Sequence, residues 1–293
     1  MIGYRISRVE LRNRIDESWL RRANKRAKEI EKAGKYEEST SIWSEVKPVY
    51  MELQGNSKCA FCERKLESID FGKGEQAVEH FRPKGNLKPW PVPAVLNEAG
   101  VRTASMPEKK GGYYRLAYDL FNYSAACIPC NSALKRDYFP VAGHYRLDGV
   151  SPEDLLDELP LLIYPIGDFD TDPEELIRFH GISPYAVAAD GHDRVRGLVT
   201  IAFFKLDSPG RKNLLLERAR VIDNLFIALR LGEMTSNRSD KELASAAITA
   251  ATAAEAPHAN CARCFCRLYE SDPGKARSLA TAAAAFVDSK SRR

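Results

Sequence analysis

Two pairs of cysteines constrain this chain more than any other feature of its sequence. Cys59 and Cys62 form one Cys-x-x-Cys turn, and Cys127 and Cys130 form a second one farther along the chain. Four thiolates in two such turns are typical of a structural zinc site, because each turn brings two sulfurs to the same tetrahedral ion. The ion would tie two distant segments together. Two unrelated pairs of buried cysteines are the alternative.

The cysteine count argues against a disulfide framework. The chain has seven cysteines, an odd number, and the segment after Met1 lacks the apolar core of a signal peptide. No apolar run reaches the roughly 18 residues that a membrane span needs. We therefore expect a cytoplasmic protein with reduced thiols and no membrane partner. The net charge of +4 permits a nucleic-acid partner without requiring one.

A third cysteine cluster lies near the end of the chain, where Cys261, Cys264 and Cys266 follow His258. On a helix, positions i and i+3 share a face, but position i+5 does not. The spacing therefore favours cysteines buried in a packed helix over a second metal site.

The order of apolar and breaker residues predicts three segments: a helical N-terminal arm (1–55), a central core (56–145) and a mostly helical C-terminal region (146–293). In the arm, helical spacing covers 16–55 with a break at Gly34. Prolines and glycines predict a long ordered loop with one short helical turn over 83–112. Strands are predicted at 113–122 and 159–165. Helices are predicted at 127–138, 240–255 and 259–271, and a further helix should start at Pro209 with Ser208 as its cap.

A short motif between the two cysteine turns carries the chemistry. Glu79 and His80 are followed by a proline turn and Lys84. A carboxylate can hold a divalent ion, an imidazole that titrates near neutrality can accept a proton from water, and cations can bind phosphate. Taken by itself, a single histidine is as often structural as catalytic.

The sequence resembles the HNH endonuclease superfamily, in the zinc-knuckle branch of its ββα-metal fold. The resemblance is closest to HNH subunits of bacterial anti-phage systems of the Septu and retron type. The segments CAFCE, EHFRPK, LAYDLFNY and CNSALKRDYFP carry it and cover about a third of the chain. The implied fold is α+β, with a zinc-pinned ββα core between the helical arm and the helical C-terminal region.

The resemblance also implies a role for each matching residue. His80 would activate the attacking water, and Asn122, five residues before Cys127, would orient His80 and its loop. Glu79 and Asn131 would bind a catalytic Mg²⁺ or Mn²⁺ ion, with Asn131 replacing the usual final histidine. The structural zinc would lie away from the chemistry on Cys59, Cys62, Cys127 and Cys130.

The implied activity is metal-dependent hydrolysis of nucleic acid, with DNA favoured, beside an ATPase partner protein. Four cations near the motif are predicted to contact phosphates: Arg82, Lys84, Lys135 and Arg136. Trp90 and Tyr114 could stack on bases, although core positions are favoured for both. Two other functions stay open, namely a non-catalytic zinc-pinned module that binds nucleic acid or acts as an adaptor, and a scaffold for protein contacts only.

Overall fold

Helices are the main regular structure of this protein, and two small antiparallel sheets lie between them. The structure, a computed structural model, describes residues 1–55, 57–72, 74–108 and 111–291. Within these ranges, every helix is too short or too polar to cross a membrane. The mixture of helices with small sheets agrees with the α+β class expected from the sequence.

The N-terminal arm contains three helices, of which the first lies outside the predicted helical span, and the predicted break at Gly34 is confirmed. Its helices are α1 (Arg8–Asn13), α2 (Glu17–Ala33) and α3 (Lys47–Leu53), the last preceded by a 3-10 turn (Trp43–Val46). Asp16 caps α2, and Gly34 ends it in the left-handed conformation at φ 67°. Trp19 is buried and donates a 2.8 Å hydrogen bond to the Ile42 carbonyl, which fixes the loop after α2.

The central sheet pairs β1 (Gln76–His80) with β2 (Tyr123–Cys127) in antiparallel register. His80 lies opposite Tyr123, and Gln76 lies opposite Cys127. The cysteine end of β2 and the His80 end of β1 are therefore opposite ends of the sheet. A π-helix (Pro129–Lys135) follows β2 and confirms the short helix predicted here, with Pro129 in its first turn.

The long loop between the strands contains one short helix, α4 (Ala94–Glu98), as predicted. The strand predicted at 113–122 is wrong, since the chain forms two 3-10 turns there (Tyr114–Leu116 and Leu120–Asn122). The carboxylate of Asp119 accepts a 2.9 Å hydrogen bond from the Phe121 amide. This local bond favours a turn, and β2 begins only at Tyr123.

The C-terminal region is mainly helical, as predicted, and also contains a β-hairpin. Its elements are a 3-10 helix (Glu153–Glu158), α5 (Pro173–Leu176), β3 (Ile177–His180), β4 (Ser183–Ala186), α6 (Gly191–Phe203), α7 (Lys212–Met234), α8 (Arg238–Thr252), α9 (Ala259–Ser271) and α10 (Pro273–Ser291). The predicted bounds of 259–271 are confirmed by α9.

Two local predictions in this region are wrong. The segment 159–165 is a buried irregular connection, in which the Tyr164 amide donates to the Asp170 carboxylate instead of to a neighbouring strand. Helix α7 starts at Lys212 and not at Pro209. The Ser208 hydroxyl accepts a 3.3 Å bond from the Gly210 amide, which closes a turn before the helix.

Aromatic contacts join the central segment to the C-terminal region in one continuous core. Phe61, in the first cysteine turn, stacks on Phe204 with ring centroids 4.3 Å apart. Phe81, directly after His80, lies 4.0 Å from the ring of Tyr164. These contacts position both ends of the central sheet against a rigid support.

Candidate active site and metal centre

The four cysteines of the two Cys-x-x-Cys turns come together at one end of the central sheet. Their sulfur atoms all lie within 4.8 Å of one another, and all four side chains are buried: Cys59, Cys62, Cys127 and Cys130. Four sulfurs bound to zinc at about 2.3 Å in a tetrahedron would be about 3.8 Å apart. The sulfurs of Cys62 and Cys127 are 3.8 Å apart, so the cluster fits a structural zinc ion.

Two N–H groups point at these sulfurs. The Cys127 amide donates to Cys59 Sγ at 3.4 Å, and the Arg211 guanidinium donates to Cys130 Sγ at 3.5 Å. Burial acts to lower the pKa of Arg211, but the thiols of Cys130 and Cys62 outweigh it and raise that pKa. A positive charge beside thiolates stabilises them for metal binding. The sequence analysis missed Arg211, which comes from the turn before α7.

His80 is the last residue of β1 and is held at the opposite end of the sheet. Its Nε2 lies 3.1 Å from the Ala117 carbonyl, which can only accept a hydrogen bond. The neutral ring therefore carries its proton on Nε2, and Nδ1 keeps its lone pair. Trp43 and Tyr123 meet the ring edge-on at 4.8 and 5.0 Å. Burial first, and then the ammonium of Lys84, lower the pKa of His80 well below its usual range.

Glu79 is buried beside the ammonium of Lys135. The Lys135 nitrogen lies 3.3 Å from the Glu79 carboxylate, and both side chains are almost fully enclosed. Burial raises the pKa of Glu79 to about 7, although Lys135 opposes this shift. Burial also lowers the pKa of Lys135. The carboxylate can therefore gain or lose a proton near neutrality.

Glu79 and His80 line the same cleft of about 560 Å³ together with Asn131 from the π-helix. Adjacent residues on a regular strand face opposite sides, but β1 ends at His80, so both side chains reach the cleft. The structure thus brings five of the predicted site residues to one cleft, since Lys84 and Arg136 line it as well. The cleft also contains residues that the sequence analysis missed: Tyr36, Trp43, Ser132 and Asp137.

Asn122 is fully buried and positions the loops around His80 without reaching the cleft. Its side-chain oxygen accepts from the Arg82 amide at 2.7 Å, and its nitrogen donates to the carbonyls of Arg82 and Leu116, each at 3.0 Å. Leu116 precedes Ala117, whose carbonyl holds the His80 ring. The predicted orienting effect on His80 therefore runs through the backbone of this turn.

The four predicted phosphate-contacting cations divide into two pairs. Lys84 and Arg136 line the cleft. Arg82 is fully buried and forms an ion pair with Glu158, while its guanidinium also donates to the Tyr164 hydroxyl at 2.6 Å. Lys135 is enclosed beside Glu79. The phosphate contacts expected of Arg82 and Lys135 are therefore not available to these two side chains in this structure.

The cleft offers oxygen donors for a hard divalent cation. Glu79 supplies a carboxylate, Asn131 supplies an amide oxygen, and Asp137 adds a second carboxylate at the cleft wall. Mg²⁺ and Mn²⁺ prefer oxygen donors of these types, so the chemistry of the lining residues suits either ion, although the Asp137 carboxylate is paired with Lys88 at 2.8 Å. In the described part of the chain, the four cysteines are the one place where at least three His, Cys, Asp or Glu side chains lie close enough to share a metal ion.

The third cysteine cluster lies on α9, with Cys261 and Cys264 on its buried face. Cys261 donates to the Gly181 carbonyl at 3.4 Å, and Cys264 donates to the Asn260 side chain at 3.2 Å. Both thiols are buried, which confirms the packed-helix interpretation for them, and Cys266 is half-buried.

The chain is similar to the Septu protein PtuB of Bacillus mycoides (strain KBAB4), with 30% identity over 124 residues. The aligned part is 42% of this chain and 35% of that protein, so the chain matches about a third of the relative's length. No protein-family model matches the chain. No solved structure matches it either.

Proposed function

We propose that this protein is a metal-dependent endonuclease of the HNH type that hydrolyses phosphodiester bonds in nucleic acid. One observation carries the proposal: a neutral histidine whose Nε2 is held by a backbone carbonyl lines a cleft that also contains a carboxylate, an amide and the cations Lys84 and Arg136. The two antiparallel strands and the helix after them, pinned by four cysteines, support a ββα-metal core.

His80 acts as the general base in this proposal. Nδ1 takes a proton from the attacking water, and the Nε2–H bond to the Ala117 carbonyl offsets part of the effect of burial and of Lys84, which both disfavour the resulting imidazolium. The edge contacts of Trp43 and Tyr123 keep the ring in this orientation. Positioning of this kind lowers the activation barrier, because the ring does not have to reorient during the reaction.

Glu79 and Asn131 would hold the divalent ion at the cleft. When bound, such an ion stabilises negative charge on the phosphate oxygens. The Lys135 ammonium lies 3.3 Å from one Glu79 oxygen, so it orients the carboxylate and leaves the second oxygen for a metal ligand bond. Asn122 serves as a positioning residue through its bonds to the loops on either side of His80.

Lys84 and Arg136 bind the substrate phosphates. The Lys84 ammonium donates to Nδ1 of His80 at 3.4 Å in the free protein. A phosphate entering the cleft draws this ammonium toward its own oxygens and leaves Nδ1 free to accept a proton. The base thereby becomes available when substrate is present.

We place this activity in bacterial anti-phage defence, with DNA as the favoured substrate and an ATPase as partner protein. The similarity to a Septu protein supports this placement. The aligned part is only 35% of that relative, so the partner protein belongs to the proposal.

The test compares the protein with its His80→Ala variant on supercoiled plasmid, single-stranded DNA and RNA, with Mg²⁺ or Mn²⁺ and after chelation. We expect metal-dependent cleavage that falls by about 100-fold or more in the variant, since general-base catalysis contributes roughly that much. His144→Ala is the matched control, because His144 is exposed and does not line the cleft. Zinc content and the circular dichroism spectrum must be unchanged in both variants.

Equal cleavage by the parent and His80→Ala would exclude His80 as the base. Salt-dependent binding without cleavage by either protein would instead favour the non-catalytic nucleic-acid-binding module. The absence of both cleavage and binding would favour a protein scaffold.

A further inference from the structure

A second cleft of about 500 Å³ continues the one that contains His80. The two clefts share the lining residues Tyr36, Gly85 and Asn86, so they adjoin at these residues, and we refer to the two clefts together as the groove. We call the part beyond Tyr36 the tyrosine cleft. It lies one step along the groove from the proposed hydrolysis site.

The walls of the tyrosine cleft are aromatic and apolar. Tyr36, Tyr114 and Tyr145 line it, and Leu147 adds an aliphatic surface. Each tyrosine is half-buried, so its ring is supported by the protein and still accessible. The sequence analysis favoured a core position for Tyr114, whereas the structure places it at this cleft.

Backbone contacts make the tyrosine cleft rigid and fix its position relative to His80. The Tyr113 amide donates to the Pro83 carbonyl at 2.8 Å, which locks the turn carrying Tyr114 to the turn after His80. A Cβ on Gly112 would lie 2.4 Å from the same carbonyl, so only glycine allows this approach. The Tyr145 hydroxyl donates to the Phe139 carbonyl at 3.0 Å and fixes the opposite wall.

The charges in the tyrosine cleft disfavour a phosphate and favour a base. Two carboxylates, Glu37 and Asp148, and one cation, Lys35, line it, and Lys35 is paired with Glu37 at 2.6 Å. Carboxylates repel phosphate oxygens, but they accept hydrogen bonds from the exocyclic amino groups of bases. Lys84 and Arg136, the two cations proposed to bind phosphate, lie in the neighbouring cleft.

We propose that the tyrosine cleft binds one unpaired nucleobase of the substrate, adjacent to the phosphate that is held beside His80. This inference rests on the proposed function and specifies its substrate as nucleic acid with an unpaired nucleotide at the cleavage point. A base inside a duplex is stacked and paired, so it reaches a concave aromatic cleft only when it is single-stranded or extruded. Stacking on tyrosine tolerates different bases, because every base has an aromatic face.

The test measures equilibrium binding without divalent ions, so that cleavage does not enter the result. A fluorescent single-stranded oligonucleotide is compared with a fully paired duplex of the same sequence, for the parent and for Tyr114→Ala, Tyr114→Phe and Tyr185→Ala. Tyr185 is a matched control, since it is a 46% exposed tyrosine on β4, away from the groove. Thermal unfolding checks that all variants fold.

We expect the single strand to bind more tightly than the duplex, and Tyr114→Ala to weaken single-strand binding by about 10-fold, within the range for loss of one stacked base. Tyr114→Phe keeps the ring and should bind like the parent, as should Tyr185→Ala. The proposal is overturned if Tyr114→Ala binds the single strand like the parent, if it weakens both substrates equally, or if no oligonucleotide binds.

Cleavage assays separate this inference from the proposed function. With Mg²⁺ or Mn²⁺, a duplex carrying one unpaired nucleotide should be cut beside that nucleotide, and Tyr114→Ala should lose this preference. Cleavage that depends on His80 but occurs regardless of the unpaired position would contradict the proposed role of the tyrosine cleft. It would still support the proposed nuclease activity. Single-strand binding that depends on Tyr114, without any cleavage, would support the tyrosine cleft and count against the proposed nuclease activity.

Discussion

The side-chain nitrogen of Lys84 lies 3.4 Å from Nδ1 of His80, the ring nitrogen that is not bound to the backbone. The same ammonium lies over the ring of Trp43, 4.2 Å from its centroid. Burial lowers the pKa of Lys84, although the carboxylates of Glu79 and Asp137 oppose this. A partly desolvated cation in this position is ready to exchange its histidine and aromatic contacts for a phosphate.

Lys84→Met should weaken substrate binding by about 10-fold at low salt while leaving the fold intact. The methionine keeps most of the aliphatic stem but removes the charge. The slope of log affinity against log salt should become shallower by about one unit, as expected for the loss of one phosphate contact. Filter binding over a range of salt concentrations measures both effects.

Lys241→Met is the control for this experiment, because Lys241 is exposed on α8 and does not line the groove. An unchanged salt slope in Lys84→Met would show that Lys84 does not contact phosphate.

Cys127→Ser should abolish zinc binding and cooperative unfolding. Cys127 is one of four buried sulfurs that lie within 4.8 Å of one another, and loss of one ligand opens the site. We expect about one zinc per chain in the parent by elemental mass spectrometry and much less in the variant. The half-buried Cys266 lies outside the cluster, so Cys266→Ser should retain the zinc. Equal zinc contents in all three proteins would contradict the proposed metal centre.

Arg82→Met should lower the free energy of unfolding by about 3–5 kcal/mol, because it leaves the Glu158 carboxylate buried without its partner. Adding Glu158→Gln should recover part of this loss, since the uncompensated charge is removed. Denaturant titration measures the difference.

Arg136→Met provides the contrasting case, because Arg136 is exposed at the cleft. Its free energy of unfolding should stay within about 0.5 kcal/mol of the parent, while its affinity for nucleic acid should fall. A stable Arg82→Met variant would show that the buried ion pair contributes little.

As the pH rises above about 10, the parent should lose its stability advantage over Tyr145→Phe, and toward pH 12 the parent should become the less stable of the two proteins. Burial raises the pKa of Tyr145 to about 12, whereas an unfolded tyrosine ionises near 10. The stability that depends on protonated Tyr145 is therefore complete below pH 10 and is lost between about 10 and 12. Below that range, the variant should be about 1 kcal/mol less stable, since it lacks the hydrogen bond to the Phe139 carbonyl.

The measurement for Tyr145 is the urea midpoint of both proteins at several pH values from neutrality upward. Other buried tyrosines destabilise both proteins alike at high pH, so the quantity to follow is the difference between them. A constant difference across this pH range would contradict the raised pKa.

Local sequence patterns predicted much of the fold near the two sites. The helix break at Gly34 and the bounds of α9 follow from residues within each segment, because capping and helical periodicity are local properties. Strand propensity predicted the segments 113–122 and 159–165 incorrectly. In the first segment the Asp119 carboxylate accepts a backbone hydrogen bond that closes a turn, and in the second the backbone pairs with Val141 only through an isolated bridge at Pro160.

The sequence by itself determined which groups could form a site: the spacing of four cysteines, and the adjacent Glu79 and His80 at a point where a strand can end. Only the tertiary structure decided which cations meet solvent, since Arg82 pairs with Glu158 from 76 positions away while Lys84 reaches the cleft. It also brought Tyr36 and Trp43 beside His80. Spacing encodes local geometry, whereas burial and partners depend on packing between segments that are far apart in the chain.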